Sequence, residues 1–174
     1  GLNPSILSTS DTLCEGDFGA FSTTVSADNY EWLVLSDTLT DTLVGPGLSS
    51  ITYGFDSTGT YDVLLTTYND CCGPSFQDTF SVFVKPVVSP SVNIVSSDTT
   101  NLICKNETIV FTASAQNTSS ALFSWMVNGS IVFNGNPIYT TASLSTGDII
   151  NCIALTTSGC SAGLLDTSNS ISIT

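Results

Sequence analysis

Histidine and arginine are absent from this 174-residue sequence, and lysine occurs only as Lys85 and Lys105. Without histidine, neither a Ser-His-Asp nor a Cys-His catalytic arrangement can be built within the chain, and the commonest metal ligand is missing. Glutamate occurs three times, as Glu15, Glu31 and Glu107. Two of these sit in turn-like stretches beside Cys14 and Cys104, so nothing points to the carboxylate-lined cleft of a glycosidase. The chain is therefore read as non-catalytic. Positive charge is equally scarce: 15 acidic residues against two lysines give a net charge of −13. That balance excludes nucleic acid and anionic membrane, both of which are held by Lys and Arg against phosphate. No apolar run reaches the ~20 residues of a membrane span, so direct membrane insertion is not expected. No signal-peptide pattern opens the sequence. It begins at Gly1 without methionine and is expected to be a mature fragment or an excised segment of something longer.

The net charge of −13 does not mean disorder. Charged residues make up 10% of the chain and apolar ones 41%, and the apolar residues alternate. Short β-branched and aromatic runs recur with Gly, Asn, Asp and Ser between them, which is the pattern of an all-β sandwich. Strands are expected near 5–10, 20–26, 30–35, 50–55, 59–68 and 79–85, then near 91–96, 108–115, 122–128, 130–133, 138–142, 148–156 and 169–173. Asn128-Gly129 is a strong hairpin signal, and Asn134-Gly135-Asn136-Pro137 marks another reversal. Gly59 and Gly147 are expected at the corners where the chain crosses between sheets.

One skeleton of residues occurs twice. Cys14-Glu15-Gly16-Asp17 is followed by Phe21, Trp32 and Gly59-Thr60-Tyr61; Cys104-Lys105-Asn106-Glu107 is followed by Phe111, Trp125 and Gly147-Asp148. Each Phe stands seven positions after its Cys, and the two Cys are 90 positions apart. A fixed period of this size means an array of similar units. Two domains are expected, 1–86 and 87–174, joined by Lys85-Pro86-Val87-Val88-Ser89-Pro90. The prolines cannot pair in a central strand and stiffen the joint, so a rod is expected.

The stretch from Ile51 through Gly59-Thr60-Tyr61-Asp62-Val63 to Asp70 resembles the end of a polycystic-kidney-disease (PKD) domain. Trp32 matches that family's third-strand Trp, although Leu33-Val34-Leu35 stands where a Gly-Asp turn is usual. The second half, with Cys104, Phe123-Ser124-Trp125, Leu144-Ser145-Thr146-Gly147-Asp148 and Cys160, is similar to the Ig-like repeats of giant cell-surface proteins of gliding Bacteroidota. The resemblance implies two tandem Ig-like (PKD-like) β-sandwiches, export by type IX secretion, and a stalk or adhesion role at the cell surface. Seven of the twelve aspartates precede Ser or Thr, and Asp-Thr-Leu occurs three times. This is similar to the O-glycosylation motif of that phylum and marks Thr12, Thr38, Thr42, Ser57 and Thr99 as candidate sites. Asp-Thr is also an ordinary turn pair. Asn106, Asn117 and Asn128 are sequons of significance only in a eukaryote.

Six cysteines without a metal-type spacing point to disulfides in an oxidising compartment. The candidates are Cys14, Cys71, Cys72, Cys104, Cys152 and Cys160. Cys14 is expected to pair with Cys71 or Cys72, unless these two bridge each other; Cys104 pairs with Cys152, or Cys160 takes one of them. Trp32 and Trp125 are expected in the core, where Ig-type sandwiches bury a Trp. Tyr30, Tyr53, Tyr68 and Phe76 are the candidates for exposed aromatics. Asp28-Asn29 and Asn69-Asp70 are the candidate oxygen ligands of a weak structural Ca²⁺; no other cofactor is implied. The expected role is a non-catalytic repeat segment, serving as a rigid spacer that contacts neighbouring repeats and polysaccharide. The alternatives are an accessory carbohydrate-binding module of a secreted hydrolase and a filament subunit assembling by strand addition.

Overall fold

A computed structural model describes residues 3–69, 76–104 and 106–174. Among these residues there are strands and turns and no helix. The chain divides into two compact units, Gly1–Val87 and Val88–Thr174.

The first unit contains β1 (Leu7–Ser8), β2 (Thr12–Cys14), β3 (Phe18–Ser22), β4 (Asn29–Leu35), β5 (Thr40–Gly45), β6 (Ser50–Gly54), β7 (Gly59–Tyr68) and β8 (Phe76–Lys85). One sheet has the order β1-β3-β6 and the other β2-β8-β7-β4-β5. All pairs are antiparallel except β2–β8, which run parallel with Thr12 opposite Phe83. Period-2 patterning sets the faces. On β4, Tyr30, Trp32 and Val34 are buried while Glu31, Leu33 and Leu35 face out. With Phe21, Ile51, Phe55, Tyr61, Val63, Leu65, Val82 and Val84 they fill the space between the sheets.

The second unit contains β9 (Ser91–Ser96), β10 (Ile109–Gln116), β11 (Ala121–Val127), β12 (Ser130–Asn134), β13 (Ile138–Thr141), β14 (Ile149–Thr156), β15 (Leu165–Thr167) and β16 (Ile171–Ser172). One sheet is β13-β10-β9; the other is β12-β11-β14-β15, with β16 also on β14. Phe111, Trp125, Ile150, Cys152 and Ala154 lie at the centre of its core.

The repeated residues do the same work in both units. Asp17 and Glu107 each donate a backbone N–H to the carbonyl of the Cys three before, at 2.9 and 3.0 Å. Their carboxylates accept that Cys's N–H at 2.9 and 2.8 Å. The third turn position has positive φ, 88° at Gly16 and 66° at Asn106, so only residues tolerant of the left-handed region serve there. Trp32 donates its Nε1–H to the Leu48 carbonyl at 2.8 Å, and Trp125 donates to that of Asn136 at 3.0 Å.

Three strands are absent from the sequence reading. β2 splits from β1 because Ser8 and Ser10 turn the backbone with side-chain bonds to Ser10 and Thr12, a local competition with regular pairing. β5 is exposed along most of its length and so lacks a buried period. β15 is three residues long, and the chain then breaks at Ser168, whose Oγ accepts the Cys152 N–H at 2.9 Å.

Candidate interaction surface

The cysteines differ sharply in state. Cys14 and Cys160 are each in a disulfide. Cys104 and Cys152 are free thiols, the first exposed and the second buried, which corrects the expected Cys104–Cys152 bridge. The reason is facing. Cys152 is an inward residue in mid-β14, opposite Trp125 in the β11 register, whereas Cys104 lies in the exposed turn before β10. Burial pushes the Cys152 thiol up to about 11, so it stays protonated and inert near neutral pH. Cys71 and Cys72 lie outside the described residues.

Trp32 and Trp125 are both fully buried. Tyr30, expected as an exposed aromatic, is buried: its hydroxyl accepts the Ala27 N–H at 2.9 Å and donates to the Val25 carbonyl at 3.0 Å. Tyr53 is half-buried against the Phe55 ring, 5.1 Å between centroids, and burial raises its hydroxyl pKa. Phe76 is half-buried as well. Tyr68 is exposed and donates its hydroxyl to Glu31; this bond to a carboxylate, with some burial, raises the hydroxyl pKa. The most exposed aromatic, Phe18 at 73%, escaped the sequence reading. It stands opposite Gly54 in the β3–β6 register and lies over the space where that residue has no side chain.

Thr12, Thr38, Thr42, Ser57 and Thr99 are all exposed. Some Asp-Thr pairs also have local work. Thr12 Oγ1 donates to Asp11 at 3.1 Å, and the Thr42 N–H bonds Asp41 at 2.9 Å. Asp28 donates its N–H to the Tyr68 carbonyl at 3.1 Å and to Asn69 Oδ1 at 3.3 Å; Asp70 lies outside the described residues. Among the described residues, no three metal-ligating side chains gather in one place. A shallow depression over β1, β3 and β6 is lined by Leu7, Ala20, Ser22, Ser50 and Thr52 among others, none of them charged.

The outer faces of the two larger sheets are unlike each other. In the first unit Glu31, Asp62 and Lys85 occupy outward positions beside Leu33, Leu35, Leu64 and Phe83 and among Thr, Ser and Gln. Their neighbours are tied in polar pairs: Ser81 Oγ donates to Asp62 at 2.6 Å and Gln77 Nε2 to Thr66 Oγ1 at 3.1 Å. In the second unit the outward positions of β11, β12, β14 and β15 are uncharged, with Leu, Ile and Met interspersed with Ser124, Asn134, Asn151 and Thr167. The one charged residue on those four strands, Asp166, is turned aside to accept the Val92 N–H at 2.9 Å.

No protein-family model matches the chain, and no curated protein sequence matches it. Solved structures do. One, from a 1.5-MDa bacterial ice-binding adhesin and concerned with host cell surface retention, is 11% identical with a TM-score of 0.61 over 99% of this chain and 65% of that one. The fibronectin(III)-like modules of Clostridium thermocellum CbhA are 16% identical, with a TM-score of 0.42 over 97% and 94%. Murine CEACAM1b is 15% identical, with a TM-score of 0.42 over 99% of each chain. At such identities the likeness is one of fold alone, and the fold of each unit is a two-sheet β-sandwich.

Proposed function

We propose that this chain is a non-catalytic structural and adhesive repeat segment of a secreted or surface-held bacterial protein. The observation that carries the reading is that one sandwich plan is built twice, with the same Cys turn and the same buried Trp, in a chain whose fold resembles part of a bacterial adhesin. Repeated modules serve to extend and to present surfaces, not to enclose a reaction. Disulfides at Cys14 and Cys160 support an oxidising, extracellular setting. Within this reading the segment is a spacer in a Bacteroidota gliding or attachment adhesin exported by type IX secretion, with sugar on one or more of Thr12, Thr38, Thr42, Ser57 and Thr99. Their exposure supports that assignment.

The test is mass spectrometry of protein from its natural source, paired with protease shaving of intact cells. Disulfide-linked peptides, hexose mass on the Asp-Thr peptides and release by shaving are expected. Fully reduced, unmodified protein that resists shaving would overturn the reading.

A further inference from the structure

We infer that Cys104 is a cross-linking site, whose thiol forms a disulfide in the parent protein with a cysteine of the repeat that follows Thr174. The inference deepens the repeat reading and rests on it.

Two turns of one build end differently. In each, a carboxylate three residues on accepts the cysteine N–H, Asp17 for Cys14 at 2.9 Å and Glu107 for Cys104 at 2.8 Å. In each, a residue of positive φ stands just before that acid, Gly16 or Asn106. Cys14 is in a disulfide, whereas Cys104 is an exposed free thiol. The sister turn is thus an independent instance of this position carrying its sulfur into a bridge.

Cys104 has no partner in its own unit. Cys152 is buried in mid-β14 and faces the core. Cys160 is in a disulfide that does not include Cys104, and the fold holds the two apart. Cys104 shares a depression with Leu144, Ser145 and Thr146, just ahead of β14, while Cys160 follows the end of that strand. The 8 residues of β14, at about 3.3 Å each, separate those ends by roughly 25 Å. A disulfide needs Cα atoms about 4.4–6.8 Å apart.

In both units the last stretch of chain runs past the cysteine turn. Cys14 stands opposite Lys85, the last residue of β8, and the Glu15 N–H bonds the Lys85 carbonyl at 2.9 Å. In the second unit the Thr174 N–H and Oγ1 both donate to the Asn101 carbonyl, at 2.9 and 3.1 Å, close in sequence to Cys104. A module joined to Thr174 by a short linker therefore begins beside the Cys104 turn. A second copy of the chain is a poorer partner, because two molecules of net charge −13 repel. A tethered module is instead held at high effective concentration.

The chemistry is two thiol–disulfide exchanges with a low-molecular-weight disulfide, RSSR, of the kind an oxidising compartment holds. The Cys104 thiolate attacks one sulfur of RSSR, its S–S bond breaks and RS⁻ leaves. The incoming cysteine's thiolate then attacks Cys104 Sγ and expels the second RS⁻. Each cysteine's proton ends on one RS⁻, so two protein thiols are oxidised and one RSSR becomes two RSH.

Two measurements test this. Oxidised glutathione, incubated with the folded 174-residue chain, should place a glutathionyl group on Cys104 and none on Cys152, read by peptide mass spectrometry. A Cys104 that stays unmodified overturns the inference. Non-reducing peptide mapping of the whole parent protein from its source then decides the partner. The Cys104 peptide is expected to be linked to a peptide from beyond Thr174 in the same polypeptide, and Cys104→Ser should leave that partner cysteine unbridged. If a repeat follows Thr174 and Cys104 is nonetheless free, or is linked within residues 1–174 or to a second chain, the inference falls and the repeat reading stands. A parent protein with no repeat after Thr174 overturns the inference, and one with no further repeat on either side overturns the repeat reading with it.

Discussion

Asp78 accepts the backbone N–H of Ile6 at 2.7 Å, and Asp166 accepts that of Val92 at 2.9 Å. The two aspartates are 88 positions apart, and each precedes a threonine. In both units a carboxylate from a late strand of one sheet reaches the first strand segment of the other. Asn169 adds a second stitch in the second unit, accepting the Ile94 N–H at 2.8 Å and donating to the Ile94 carbonyl at 3.1 Å. Two of the seven Asp-Ser/Thr pairs are thereby explained as framework. Removing a partly buried, charge-assisted acceptor leaves an N–H unpaired, at a cost of about 1–3 kcal/mol. Asp78→Ala and Asp166→Ala should each lower stability by about that amount, and the Asn variants, which keep one acceptor oxygen, by less. Urea denaturation checks this; an Ala variant as stable as wild type would show that the bond contributes nothing.

Two glycines in the first unit should respond differently to alanine. A Cβ at Gly19 would stand 2.9 Å from ring carbons of both Phe21 and Phe55. Both rings are buried and locked edge-to-face, with centroids 6.2 Å apart, so neither can yield. Overpacking of this kind costs about 1–3 kcal/mol. At Gly54 the near neighbour is the Phe18 ring, at 3.1 Å, and Phe18 is exposed and free to swing away. Thermal melts should therefore show a clear loss for Gly19→Ala and a much smaller one for Gly54→Ala. The reverse order would contradict this account of the β3–β6 packing.

The contrast marks what the sequence could reveal. β7 and β9 are legible at 59–68 and 91–96 because their buried residues alternate over a long run. The twin turns were legible as a motif, but their cause was not, since the Asp17 and Glu107 carboxylates act on a backbone group three residues away. The Asp78 and Asp166 stitches span |i−j| of 72 and 74, a separation at which nothing in local pattern speaks. Tyr30 was misjudged because a tyrosine on a strand reads alike whether its hydroxyl meets water or the Val25 carbonyl. The row of leucines across β11, β14 and β15 was hidden for a similar reason: Leu122, Leu155 and Leu165 become neighbours only through register.

The free thiols should separate by reactivity. Cys104 is exposed, whereas the Cys152 thiol is buried and raised to about 11. Iodoacetamide at pH 8 should label Cys104 in the folded chain and reach Cys152 only after unfolding, while Cys14 and Cys160 stay protected until reduction. Linkage adds a pH effect. Cys152 ionises near 9.0 when unfolded and near 11 when folded, so its contribution holds below about pH 9 and is lost as pH climbs toward 11. Wild type should lose more stability than Cys152→Ala across that window. Equal slopes, or rapid labelling of folded Cys152, would count against its burial.

Acid should act through Asp148. Its carboxylate accepts the Ser145 N–H at 2.8 Å and the Asn128 amide at 2.7 Å, and these bonds hold its pKa below the ordinary 3.8, the Ser145 bond most strongly. Asn128 also accepts the Ile149 N–H at 2.9 Å, so the cluster ties the β11–β12 turn to the start of β14. A carboxylate with a depressed folded pKa contributes stability above its unfolded value, and that contribution is lost as pH falls through the folded one. Asp148→Asn would set two amide groups against each other and remove the charge. The gap in urea midpoint between wild type and this variant should be full at pH 7, begin to close near pH 4, and shrink further as pH drops below that. Asp98, held low in the same way by the Thr100 N–H and hydroxyl at 2.9 and 2.8 Å, should behave alike. A gap that stays constant from pH 7 to pH 2 would mean that the ionised carboxylate is not what stabilises this corner.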